Sequence, residues 1–161
     1  MSIHKLTIFS LILWVVTITV IAILFIRGQT MPGSDGRTTI LLSTVERNLV
    51  LKEMRTMLSS VQGIVEGLSE QDLSRVASAS RTSGSSMAQQ VPPVLMAKLP
   101  LEFKQLGHSV HTGFDELTVA SKQEETSDMI LSRLSGQLSR CVACHATYRL
   151  QAETQADAEN D

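Results

Sequence analysis

An all-α protein tethered by an N-terminal membrane helix is the fold class this sequence predicts, on three observations. The first is the run from Leu6 to Ile26, LTIFSLILWVVTITVIAILFI, 21 residues without a charge. The second is composition. Aromatic residues make up only 4% of the 161, while Leu, Met, Ala, Ser and Gln abound, a balance that suits helices packed by aliphatic seams better than a β-sandwich. The third is the recurrence of apolar residues at alternating steps of three and four along two later segments, the period of one helix face. With 14 basic against 16 acidic side chains and a formal charge of −2, the chain lacks the broad basic surface that nucleic acid requires.

At about 1.5 Å per residue the apolar run crosses a ~30 Å hydrocarbon core. A cleaved signal peptide has a shorter apolar region, about 7–15 residues, and ends in a small-x-small site. Ile26-Arg27-Gly28-Gln29-Thr30 offers no such site, so residues 1–27 read as a cytoplasmic stub and an uncleaved transmembrane anchor. Lys5 precedes the run and Arg27 and Arg37 follow it, which leaves orientation open on charge alone. Residues 28–39 read as a flexible tether, because QTMPGSDGR combines Pro, Gly, Ser and Asp without periodicity.

The helical domain spans 40–150. Ser43-Thr44-Val45-Glu46 has capping-box spacing, so a first helix starts there. Its predicted inward seam is Leu51, Met54, Leu58, Val61, Val65 and Leu68, widened by Val50, Met57 and Ile64. Ser69-Glu70-Gln71-Asp72 repeats the capping signature and predicts a shorter helix from about Glu70 to Thr82, with Leu73, Val76 and Ala77 inward. Pro92, Pro93 and Pro100 make Met87 to Pro100 a loop with at most a short helical turn. A third helix runs from Leu101 to about Ser121 on Phe103, Leu106, Val110, Phe114 and Leu117. The fourth begins near Thr126 or Ser127, with Leu131, Leu134, Leu138, Cys141, His145 and Tyr148 inward. The tail, residues 151–161, holds four acids and no base and reads as disordered.

Cys141-Val142-Ala143-Cys144-His145 carries the chemistry. C-x-x-C-H is the attachment signature of c-type haem: two thiols add to porphyrin vinyl groups and the adjacent imidazole becomes an axial iron ligand. Cysteines three apart on a helical turn face the same way, and the next residue points its imidazole under the metal. Such haem is attached outside the cytoplasm, so anchor and motif together place the domain in a bacterial periplasm, held to the inner membrane. Two other readings use the same thiols. A structural zinc site would recruit His108 and His111 to Cys141 and Cys144, a Cys2His2 set. A thioredoxin-type dithiol would need a βαβ pattern that the sequence lacks. No nucleophile stands with a partnered base, so no enzymatic turnover is implied.

Residues 40–150 resemble the class II c-type cytochromes, the cytochrome c′ family. The likeness rests on Cys141-Val142-Ala143-Cys144-His145-Ala146-Thr147-Tyr148-Arg149, with Val45-Glu46-Arg47 to Leu51, Ile64-Val65-Glu66-Gly67, Asp72 and Phe103-Lys104-Gln105 at family positions. The resemblance implies an antiparallel four-helix bundle holding one covalent haem c on its last helix, with His145 on the iron. It implies Arg47 near the haem propionates, Leu51 over the opposite iron face and Arg149 beside the proximal face. It also implies a homodimer paired through the first two helices. Leu51 over the iron predicts a five-coordinate haem that binds nitric oxide or carbon monoxide. Met54, three residues on along the same seam, is the alternative: its sulfur on the iron would make a low-spin electron carrier serving a redox partner protein.

Overall fold

A computed structural model of the chain describes residues 3–153, and the protein is mostly helical. The first helix, α1 (Ile3–Arg27), is long and apolar enough to cross a membrane, with a mean hydropathy of 2.8 over an 18-residue window of His4–Arg27 and none of that window buried against protein. Its last turn does not hang free. Lys104 donates from Nζ to the Phe25 carbonyl at 3.0 Å and lies 3.4 Å from the centre of the Phe25 ring, a cation placed where the helix dipole is negative.

The segment read as a flexible tether is instead a β-hairpin. Strand β1 (Thr30–Pro32) pairs antiparallel with β2 (Thr38–Leu42), and β2 pairs in parallel with β3 (Tyr148–Ala152), in register Thr38 with Tyr148 and Ile40 with Leu150. The seam of the fourth helix had been extended through Tyr148 on spacing alone. Strand pairing to the β-branched run of β2 captures those backbone groups instead, so the helix stops at Thr147. Gln151 and Ala152, read as tail, belong to β3, and the Glu153 amide donates to the Leu42 carbonyl at 2.8 Å. The expected disorder of 154–161 falls outside the described residues.

Gly28 makes the joint between anchor and domain. Its φ of +61° is a left-handed conformation, and a Cβ there would stand 2.6 Å from both the Leu99 carbonyl carbon and the Pro100 nitrogen, and closer still to the Lys98 carbonyl oxygen. Only glycine satisfies both demands. Gly28→Ala is expected to cost more than about 1 kcal/mol and to free the anchor from the domain. Limited proteolysis of the full chain in detergent checks this, with faster cleavage near residue 28.

Helix α2 (Thr44–Ser69) opens on the expected capping box: Glu46 N–H donates to Ser43 Oγ at 3.3 Å and Ser43 N–H to Glu46 Oε2 at 2.8 Å. Helix α3 (Leu73–Thr82) starts later than expected, since Asp72 is its N-cap, accepting from the Arg75 amide. Ser69 is spent on the preceding helix, where its hydroxyl donates to the Glu66 carbonyl. The proline-rich stretch forms two short pieces, α4 (Ser85–Ala88) and α5 (Pro93–Lys98), the second with proline at its first position, where no amide is missed. Helices α6 (Leu101–Lys122) and α7 (Ser127–Thr147) begin where the sequence puts them.

Helix α2 packs on α3, α3 on α6 and α6 on α7, whereas α2 and α7 barely touch. One apolar cluster, Ile64, Val76, Val110, Phe114, Leu117, Ile130 and Leu134, joins all four. A second, around Ile40, Leu42, Val50, Leu95, Leu99, Phe103 and Tyr148, ties the sheet to α2, α5 and α6. The buried stripes overlap the expected ones only in part: Val50 and Ile64 of α2 and Leu134 of α7 are buried as expected. On α2 they are Val50, Ser60, Ile64 and Gly67; on α7 they are Ile130, Leu134 and Gln137. Leu58 is 69% exposed, Val65 50%, Leu131 53% and Leu138 40%. These four lie outside the buried clusters, while Met57, Val61 and Leu68 of the expected α2 stripe pack against the central one.

Candidate haem-attachment site

The end of α7 is held in register before the cysteine motif begins. Gln137 Nε2 donates to the Val110 carbonyl at 2.5 Å, while Arg140 Nη1 donates to the Ser109 carbonyl and to Gln137 Oε1, both at 2.9 Å. Gly113 makes room for them, since a Cβ there would strike Gln137 and Arg140. Helix α7 is thus fixed on α6 within one turn of Cys141.

Cys141 and Cys144 are free thiols, both half-buried. Burial pushes both pKa values up, that of Cys144 to about 11, with Cys141 nearby adding to the effect. Both are neutral at physiological pH. Cys144 and His145 line a cleft of about 190 Å³, with Leu51 and Met54 of α2 facing them across it. Arg149 and Leu150 of β3 and the partition residues Phe103 and Tyr148 complete the wall. Residues some 90 positions apart in the chain, picked out separately on α2 and α7, therefore share one cleft.

The cleft mouth is charged. Arg37 holds Asp35 through Nε at 2.9 Å and Nη2 at 2.7 Å, and Arg149 Nη1 approaches the same carboxylate at 3.7 Å. Hydrogen bonding from Arg37 lowers the Asp35 pKa to about 2. Two guanidiniums thus share one carboxylate, which leaves net positive charge beside His145. Arg37 also donates from Nη1 to the His145 carbonyl at 3.2 Å, tying the hairpin to the motif. Arg47, expected at this mouth, is half-buried on the first turn of α2 but does not line the cleft. Arg37 lines it instead. Arg37 and Asp35 are not legible as site residues in the sequence, where Gly33 to Arg37 reads as tether. The signal was a Gly-containing turn flanked by Thr30-Met31-Pro32 and the β-branched Thr38-Thr39-Ile40, a hairpin pattern.

The aromatic wall is rigid. Phe103 and Tyr148 meet edge to face, with centroids 5.4 Å apart and planes at 90°. Tyr148 donates its hydroxyl to Glu102 Oε2 at 3.2 Å. Burial and this carboxylate raise the Tyr148 pKa.

The donor set fits a haem of the c type. Two neutral thiols one helical turn apart, an exposed imidazole next in sequence, an apolar opposite wall and a basic rim are the features such a group needs. The cleft's space of about 190 Å³ is smaller than the ~300–1,000 Å³ of ordinary ligand pockets. The zinc set is not assembled. Buried His111 turns its Nδ1 to the Ser83 carbonyl at 2.8 Å and lines a different cavity from Cys144. Among the described residues no three His, Cys, Asp or Glu gather as a metal site. No protein-family model, curated protein or solved structure matches this chain.

Proposed function

We propose that the protein is a membrane-tethered c-type cytochrome with one haem bound covalently to Cys141 and Cys144 and ligated by His145, facing the periplasm from a bacterial inner membrane. The helices α2, α3, α6 and α7 serve as an antiparallel four-helix bundle whose open α2–α7 side takes the haem. The observation that carries this reading is the shared cleft: the C-x-x-C-H motif and Leu51 and Met54 face one another. When bound, the haem supplies an iron that changes oxidation state or takes a diatomic gas. The chain's own residues do the rest. Cys141 and Cys144 hold the porphyrin edge, and Arg37 and Arg149 offer guanidiniums to its carboxylates in place of Arg47. Tyr148 and Phe103 shield one flank from water.

Leu51 is the residue over the free iron face. Met54 lines the cleft too but is also packed against the cluster that contains Phe103 and Tyr148, which leaves Leu51, outside that cluster, the freer of the two to face the iron. An aliphatic side chain cannot ligate iron but blocks approach to it. Leu51→Ala is expected to speed carbon monoxide binding roughly tenfold, about 1.4 kcal/mol off the barrier, and Met54→Ala to leave the iron's spin state unchanged. Stopped-flow mixing and absorption spectra of both variants check this. A low-spin spectrum with a thioether-to-iron band, lost in Met54→Ala, would instead make Met54 the ligand and the protein an electron carrier.

A further inference from the structure

A second cavity, of about 320 Å³, shares Phe103 with the haem-motif cleft but opens elsewhere, between α2, α4, α5 and α6. Its walls are chiefly apolar, with Val50, Val91, Met96 and Leu99 beside the Phe103 ring. That volume lies in the range of small-molecule sites.

Two acceptors in it lack partners. His111 is only 5% exposed, and its Nδ1 sits 2.8 Å from the Ser83 carbonyl oxygen. A carbonyl can only accept, so Nδ1 is the donor here, and in the neutral ring Nε2 is an acceptor in the cavity wall. Across from it, the half-buried Glu53 carboxyl forms no hydrogen bond or ion pair, and lies close enough to His111 for the two to interact electrostatically. Burial pushes the Glu53 pKa up.

The space is kept by a glycine that packing does not require. Gly107 lines the cavity in the middle of α6, where glycine weakens a helix, and a Cβ there would meet nothing within 4 Å. Gly113, one face away, is filled by Gln137 and Arg140. The cavity also stands at the foot of the anchor. Lys104 in its wall is the residue bonded to Phe25, and Leu99 abuts Gly28. Both contacts put the cavity beside the end of the apolar helix α1.

Bare acceptors call for a ligand with hydroxyl donors, an aromatic and aliphatic wall for a flat apolar body, and the location for a molecule soluble in the bilayer. We infer that this cavity binds the ring of a lipid-borne hydroquinone, one hydroxyl donating to His111 Nε2 and the other to the Glu53 carboxyl. The binding site stands independently of the haem reading. One consequence rests on that reading: a hydroquinone here is one side chain from the haem motif. Oxidation to the quinone releases two protons, which His111 and Glu53 would accept, and two electrons, which a ferric haem would take singly, a one-electron acceptor protein reoxidising it between the two.

The test is anaerobic titration calorimetry of the full chain in lipid nanodiscs with tetramethylhydroquinone, with haem content scored separately from the absorption spectrum. One-site binding is expected, at least tenfold weaker in Gly107→Leu and several-fold weaker in Glu53→Gln. Gly136→Leu, also into open space but on α7 away from the cavity, controls for folding and should bind as the parent does. The dimethyl ether of the probe, which has no hydroxyl to donate, should not bind. Binding by a chain that carries no haem supports the site and removes only the electron-transfer consequence. No binding by a helical, haem-loaded chain, or equal binding by Gly107→Leu or by the dimethyl ether, overturns the assignment.

Discussion

Serine at both Cys141 and Cys144 is expected to give a chain that enters the membrane and keeps its helices but retains no haem through denaturing electrophoresis. The reasoning is chemical. Serine is close to cysteine in size, and both positions are half-buried at the end of α7 rather than packed in the central cluster, so the fold loses little. A hydroxyl does not form the thioether that survives denaturation. Cys144 lines the cleft whereas Cys141 sits one turn earlier at its edge, so of the two single variants Cys144→Ser should lose more haem. Haem staining of gels, with the protein detected independently, reads all three.

Phe114→Ala is expected to cost about 3–5 kcal/mol, the largest loss of stability from one substitution in this chain. Phe114 is fully buried at the centre of the cluster that joins α2, α3, α6 and α7, among Ile64, Val76, Leu117, Ile130 and Leu134. Removing the ring forfeits its burial and leaves a hole that helices on every side hold open. The gain in helix propensity from alanine offsets only a few tenths of a kcal/mol. Against a total of about 5–15 kcal/mol for a domain, that is a large share of the stability. Val119→Ala on the same helix, at a side chain 51% exposed, should stay within about 0.5 kcal/mol of the parent. Urea unfolding followed by circular dichroism distinguishes the two.

The helices were legible because their signals are local. Ser43 and Glu46 cap α2 as their spacing says, and the prolines and Thr126 mark where α5, α6 and α7 begin. The mistakes came where tertiary partners decide. Tyr148 fits a helical seam as well as a strand, and only the neighbouring β2, more than a hundred residues earlier, selects the strand. Leu58 and Leu131 are as hydrophobic as Ile64 and Ile130, so periodicity could not say which of them close the core and which stay exposed. Ser69 and Asp72 both suit an N-cap, and the extra turn of α2 reaching Ser69 left the role to Asp72. Among site residues, Cys141, Cys144 and His145 declare themselves by spacing. Arg37 does not, because nothing local shows that a hairpin returns it to the His145 carbonyl.

The central claim is that Cys141, Cys144 and His145 hold a covalent haem facing Leu51. The direct measurement is the haem content of the purified full-length chain, produced in a bacterium with active haem-attachment machinery and assayed by pyridine haemochrome absorption alongside total protein. One haem per chain, not extracted by acidified organic solvent, with an α-band of the doubly thioether-linked type, is the result predicted. A folded, membrane-inserted protein that is colourless, with both thiols still open to alkylation, would contradict it.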